Sequence, residues 1–179
     1  RRDVRDSRLE SSSDDTDLGI SVRVVHDGSW GFAAGITLTT QAAADLAAQA
    51  VLIAKVSAPL NPRPVELAPE PVHTGEWVSS YTTNPFDVPE SDRVGRLVQL
   101  SDALKRQSGV EHTSVACMYV QENKFFANLE GTQTSQQRVR IQADVEAVAV
   151  TDDGFFTMRT VAPPVGRGWE HLTGEGWDY

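Results

Sequence analysis

Cysteine is almost missing from this chain: Cys117 is the only one in 179 residues. A single thiol excludes an intrachain disulfide framework and fits a reducing cytoplasm. Positive charge is also short, with 16 Lys and Arg against 25 Asp and Glu and a net charge of −9. Phosphate binding needs a basic footprint, so nucleic acid is excluded as the main partner. The same imbalance repels an anionic membrane. No apolar run approaches the roughly 18–20 residues that a membrane-spanning helix needs, and no signal-peptide layout opens the chain. The sequence starts at Arg1-Arg2 without a methionine. That start reads as a fragment, a processed chain, or a chain whose beginning is not included.

Recognisable catalytic patterns are lacking too. His26, His73, His112 and His171 have no second His or Cys at metal-ligand spacing, and no H-E-x-x-H helix occurs. No G-x-S-x-G elbow is present. "GRGWEHLTGEG" has phosphate-loop glycine spacing without the Lys-Ser/Thr ending and the helix that would follow. Asp14, Asp15 and Asp17 form an acidic cluster, but the Gly and the distal Glu of an EF-hand loop are absent, so a solvated turn is expected. Cys117 lies within "SVACMYV", a run that reads as a buried strand, and is expected to be a small core residue. No catalytic or metal-binding residue is therefore assigned, and no cofactor is expected within the segment.

What is present is the material of an α+β fold. A chain of this length buries one good core or two small ones. "ISVRVVHDGSWGFAAG", residues 20–35, is a hairpin signal, because Asp27-Gly28 suits a type I′ turn with positive φ at both central positions. Counting through the turn pairs Val25 with Trp30, Arg23 with Phe32, and Ser21 with Ala34. The other face then holds Gly31, Ala33 and Gly35. "TLTTQAAADLAAQAVLIAKVSA" follows, with threonines placed as N-caps and an Ala-rich helical stripe through Ala43, Leu46, Ala47, Ala50 and Ile53 or Ala54. A helix surfaced in alanine approaches a sheet closely only where the sheet is also small. The helix is therefore expected against the Gly31/Ala33 face, with Trp30 and Phe32 turned away.

Further along, "PLNPRPVELAPEP" reads as an extended linker or crossover. A short strand is expected in "GEWVSSY". A second helix, about Ser91 to Ser108, carries Val94, Leu97, Val98, Ser101 and Leu104 on one stripe. Strands are expected at 4–10, 113–121, 124–129, 137–151 and 155–161, with a second hairpin at Asp153-Gly154. The expected fold class is α+β, with antiparallel sheets and two main helices. Its parts are a first sheet-plus-helix unit at 1–58, a Pro-rich crossover with a short strand at 59–90, a helix with a second antiparallel sheet at 91–162, and an irregular Gly-rich tail at 163–179. "RLESSSDDTDLGISVRVVHDGSWGF" and "NLEGTQTSQQRVRIQADVEAVAVTDDGFFTM" echo one another in order of parts. The echo fits a duplication into two sheet–helix repeats and equally fits two unrelated meanders.

Several of these segments together resemble the TldD/PmbA family, whose members are also described as modulators of DNA gyrase. They are the strand ending in "RLE", "GISVRVV", "DGSWGFAAG" leading into "TLTTQAAADLAAQA", then "NPFDVP", "FFANLEGTQTSQ" and the closing "GRGWEHLTGEGWDY". The last is similar to the TldD branch. The resemblance implies the N-terminal region of a cytoplasmic zinc-dependent peptidase acting on peptides, with TldD-type and PmbA-type subunits that pair. It implies a His-Glu-x-x-x-His helix beyond Tyr179, in a catalytic half that would hold the zinc. It also implies a segment preceding Arg1, and it carries no site residue onto this chain. The region itself is expected to be inactive alone and to form a vestibule or a subunit interface. Trp30 and Phe32, with Trp169 and Trp177 of the tail, are the candidate contacts to the catalytic half, a partner subunit or a peptide. The blander reading is that Trp30 and Phe32 cover a layer of the domain's own core. Exposed sheet edges also suit strand addition by extended peptides. The contrasting reading is a stand-alone interaction module without enzymatic activity.

Overall fold

In the computed structural model, which describes residues 1–174, eight strands and three α-helices alternate along the chain. The strands are β1 (Arg2–Arg5), β2 (Arg8–Ser12), β3 (Ile20–His26), β4 (Ser29–Gly35), β5 (Thr74–Val78), β6 (Val110–Ala127), β7 (Gln133–Thr151) and β8 (Gly154–Arg159). The helices are α1 (Thr40–Ser57), α2 (Glu90–Lys105) and the short α3 (Glu170–Thr173). The fold class is α+β, as expected. The elements gather into two compact units, one of residues 15–71 and one of residues 1–14 with 72 onward.

In the 15–71 unit the hairpin register is the one obtained by counting: Val25 faces Trp30, Arg23 faces Phe32 and Ser21 faces Ala34. Asp27 (φ +49°) and Gly28 (φ +68°) both occupy the left-handed region that a type I′ turn demands. Ser29, Gly31 and Ala33 are buried, whereas Trp30, Phe32 and Ala34 are exposed. Thr39 caps α1, its side-chain oxygen accepting the Ala42 N–H at 3.2 Å. The helix then lies along the small-residue face. A Cβ on Gly31 would run into the Ala50 carbonyl oxygen, and Ala50 and Ala54 are fully buried. Backbone-to-backbone packing of this kind requires glycine on one side and alanine on the other. Of the two residues left open, Ala54 takes the inward position and Ile53 stays outside. The proline-rich segment is anchored to the turn, with Asn61 Nδ2 and Val65 N both donating to Gly28 O at 2.8 Å. One expectation changes here. Thr40–Leu60 is long and apolar enough, by length and composition, to cross a membrane. Leu52, Ile53 and Val56 add to that apolarity on the exposed side, whereas Ala50 and Ala54 are buried.

The second unit is built on a sheet in the order β2-β1-β6-β7-β5, with β8 paired beside β5 on the far side of β7. "VRDSRLE" is not one strand but a tight hairpin. Asp6 (φ +46°) and Ser7 (φ +65°) turn β1 back onto β2. Asp tolerates that left-handed conformation and its carboxylate is held there, which propensity alone does not reveal. The expected break between residues 121 and 124 is absent. β6 runs unbroken because each of its residues from His112 to Ala127 has a partner on β7. β5 pairs with β7 in parallel, so this sheet is mixed. One face carries the core: Val4, Val115, Cys117, Ile141 and Ala143 pack against Leu97 of α2. Ser101, also on that helix stripe, is buried yet satisfied. Its hydroxyl shares a 2.6 Å hydrogen bond with Thr113 and accepts the Ser7 N–H at 2.9 Å.

The described part of the tail packs on the sheet, with the short α3 in an otherwise irregular run. Val165 bridges to Ile141, and Leu172 of α3 is fully buried in the core cluster. Glu170 gathers the turn, accepting the Gly168 N–H at 2.8 Å and the Thr83 N–H at 3.1 Å. Burial works against its charge, but these donors win and the carboxyl pKa is lowered.

Candidate functional site

The four aromatic residues singled out from the sequence fall in different settings. Trp30 and Phe32 stand side by side on the outer face of β4, 42% and 54% exposed. Across the hairpin the Arg23 guanidinium lies 4.9 Å from the Trp30 ring centroid, a cation–π contact. Trp169 belongs to the other unit and is turned inward. It packs against the core cluster with its ring centroid 6.2 Å from that of Tyr119. Trp177 lies outside the described residues.

Cys117 is buried and its thiol is pushed up to about 12 by burial, which makes it a core residue and not a nucleophile at neutral pH. Among the described residues, no group of three His, Cys, Asp or Glu side chains is arranged to hold a metal ion. His26 lies 3.4 Å from its neighbour Asp27 at the hairpin turn. The pKa of His171 is lowered by burial and by Arg167.

Two charged clusters were not legible in the sequence. In the first, Asp6 accepts from Thr113 N at 3.0 Å, contacts His112 Nδ1 at 3.0 Å and pairs with Lys105 Nζ at 3.4 Å. A shallow cavity of about 410 Å³ opens beside it, lined also by Arg5, Ser114 and Glu146. Hydrogen bonding to His112, opposed by partial burial and reinforced by Thr113 and Lys105, lowers the Asp6 carboxyl to about 2. The cluster clamps the β1–β2 turn to the start of β6 and the end of α2. Among the described residues no hydrogen bond joins His112 to a hydroxyl or thiol, and the arrangement is a structural clamp rather than a catalytic dyad. Since the folded pKa is depressed, the contribution to stability is present at neutral pH. It is lost as pH falls from the ordinary aspartate range through about 2. Asp6→Asn, which keeps the left-handed turn, is expected to lower stability at pH 7 and to flatten the acid limb of the urea midpoint between pH 4 and 2. An unchanged acid limb would sink this assignment.

The second cluster surrounds Arg2, whose side chain is fully buried. Its two Nη atoms bond Asp14 at 3.0 and 2.7 Å and the Ser13 carbonyl at 2.8 Å. Its Nε sits 2.9 Å from Glu90, an ion pair by distance though not a hydrogen bond by angle. An arginine at the start of a chain ordinarily keeps its charge in water. The pairing of β1 with the centre of the sheet instead buries Arg2 beside Cys117. Alternation along β1 was the available signal, since Arg2 shares the face of Val4.

Fold and surfaces thus define a mixed α+β segment that presents an aromatic face, open sheet edges and structural ion clusters, with no catalytic constellation among the described residues. Residues 2–54 match the model of the PmbA/TldA metallopeptidase domain 1. Three crystal structures share the fold. A protein named a modulator of a DNA gyrase from Thermotoga maritima is 12% identical, with a TM-score of 0.61 over 88% of this chain and 35% of that one. A protein named a modulator of DNA gyrase from Bacteroides thetaiotaomicron is 9% identical, with a TM-score of 0.57 over 92% of this chain and 39% of that one. TldE from Thermococcus kodakarensis is 15% identical, with a TM-score of 0.57 over 88% of this chain and 37% of that one. None of the curated proteins matches the chain. The TldD/PmbA resemblance is therefore borne out over residues 2–54, while the TldD branch is not distinguished from the other. The chain spans between 35% and 39% of the length of these structures.

Proposed function

We propose that this chain is the N-terminal, non-catalytic region of a TldD-like zinc-dependent peptidase, acting in the cytoplasm in proteolysis or peptide processing. The match of residues 2–54 to a metallopeptidase first domain carries this reading. The described residues do not fit a zinc site, so no step of peptide hydrolysis is assigned to any of them. The zinc and the catalytic half belong to a longer protein, and a TldD/PmbA-type subunit is the partner. The Trp30/Phe32 face supports an interface or vestibule role, because two adjacent exposed aromatic rings on a rigid hairpin are characteristic of contact surfaces. Extended peptide is a suitable substrate for a second reason. β1 leaves β6 at Cys117, so the outer edge of β6 from Met118 to Ala127 offers unpaired backbone groups for strand addition.

The test uses the full-length protein with its partner subunit. The double substitution Trp30→Ser and Phe32→Ser removes exposed side chains and leaves the hairpin folded. Either subunit association or peptide hydrolysis is expected to fall about tenfold or more, the effect of losing one to two hot-spot contacts. Association and hydrolysis both at wild-type level would overturn the interface role. A natural protein that ends near Tyr179, binds no zinc and still captures peptides would favour the stand-alone module.

A further inference from the structure

We propose that the outer face of α1 is a pairing surface, on which α1 of a second copy of this chain packs antiparallel. The inner face is already occupied, since Ala50 and Ala54 are buried against the hairpin. On the opposite side of the helix, Gln41, Asp45, Ala48, Leu52 and Lys55 are all exposed and recur at alternating steps of four and three residues. That spacing keeps one seam along a helix, and it is the spacing used when two helices lie side by side. Leu52 and Val56, one turn apart, are 61% and 66% exposed, and Leu60 just beyond the helix is 82% exposed. A single such side chain on a surface is ordinary, whereas a row of them marks a contact.

The seam is complementary to its own reverse, and this selects the occupant. Two copies laid antiparallel about the level of Ala50 bring Ala48 of each opposite Leu52 of the other. The same register brings Asp45 of each opposite Lys55 of the other. Every contact then occurs twice, as an isologous twofold interface requires. A small residue meets a large one at the centre, so the helices approach closely, and opposite charges meet on either side. Both charges are available. Asp45 accepts only the Gln41 amide, at 2.9 Å, and Lys55 makes no ion pair among the described residues. Parallel pairing in register would instead set Asp45 against Asp45 and Lys55 against Lys55, and it would align the helix dipoles unfavourably. A lipid surface is the poorer occupant, because the chain carries a net charge of −9 and Lys55 is the one basic residue of α1. One helix from each copy makes a small interface, under the ~1,200 Å² of stable complexes, so pairing in the micromolar range is expected. The contact lies on the far side of the 15–71 unit from Trp30 and Phe32, and it does not rest on the role of those rings.

Nitroxide labels on Gln49→Cys or Gln41→Cys of the full-length protein read the pairing by pulsed electron resonance, with the unsubstituted protein as background. Labels at 49 lie near the twofold axis and are expected within about 20 Å of each other. Labels at 41 stand about 27 Å apart along the helices and should give a distance of about 30 Å. Leu52→Glu, an exposed substitution checked for folding by circular dichroism, should abolish both distances. Asp45→Lys and Lys55→Asp should each weaken pairing roughly tenfold, since two repelling pairs replace two attracting ones. The double reversal should restore it. Trp30→Ser with Phe32→Ser should leave both distances in place, and their loss there would assign the pairing to the aromatic face and overturn the proposal. It fails if no distance between copies appears at 49, which would leave α1 to a further segment of a longer protein, to a different subunit or to lipid. It fails equally if labels at 41 approach as closely as those at 49, the signature of parallel pairing, or if the double reversal does not restore what the single ones remove.

Discussion

Gly31→Ala is expected to destabilise the hairpin–helix unit by about 3 kcal/mol, the upper end of what overpacking a close contact costs. The added methyl group meets the Ala50 carbonyl oxygen and lies 2.9 Å from the Ala54 nitrogen. These are backbone atoms of α1, so no side-chain rotamer change relieves the clash. The helix must lift from the hairpin, and the alanines that pack there lose their contacts. Gly35→Ala is the matched control on the same strand face. Its methyl group meets only the Leu46 Cδ1 at 3.4 Å, the end of a flexible side chain, and its effect is expected within about 0.5 kcal/mol. Hydrogen exchange of the β3 and β4 amides measures both. Equal protection in the two variants would show that the helix does not rest on Gly31.

The second large effect lies in the tail. Leu172→Ala is expected to cost about 3 kcal/mol, within the range for removing a fully buried leucine from a packed core. Leu172 fills the cluster of Val4, Leu97 and Ile141, and its carbonyl accepts from Arg96 Nε at 2.8 Å. Losing the side chain frees one end of this segment and weakens the grip of Glu170 on Thr83. Thr173→Ala, one residue on and exposed, should change stability by less than about 0.5 kcal/mol. Urea denaturation followed by far-ultraviolet circular dichroism separates the two. Equal midpoints would mean that the tail packs on the core without contributing to it.

Local rules read well wherever the physical cause is local. The Asp27-Gly28 turn sets the β3–β4 register because both positions need positive φ, and side-chain alternation then assigns each face. Thr39 and the alanine stripe mark α1 for the same reason: capping and periodicity act within a few residues. Long-range pairing is different. Nothing near Glu122-Asn123 announces a continuous strand, since continuity depends on β7 lying opposite. Likewise the burial of Arg2 depends on Asp14, Glu90 and the centre of β6. The aromatic candidates show both cases. Trp30 and Phe32 follow from the hairpin's own parity, whereas Trp169 turns inward because Tyr119 and the core cluster wait for it.

By itself, then, the sequence determined the hairpin, both long helices, the close fit of glycine against alanine, and the family resemblance carried by those same segments. Only the tertiary structure decided which strands share a sheet, where the Asp6 and Arg2 clusters form, and that Leu172 is a core residue. The division has one physical origin. Turns, caps and periodic faces are settled by neighbours a few residues away. Burial of a charge or of a tail residue is settled by groups brought together from distant parts of the chain, as Arg2 meets Glu90 and Leu172 meets Val4.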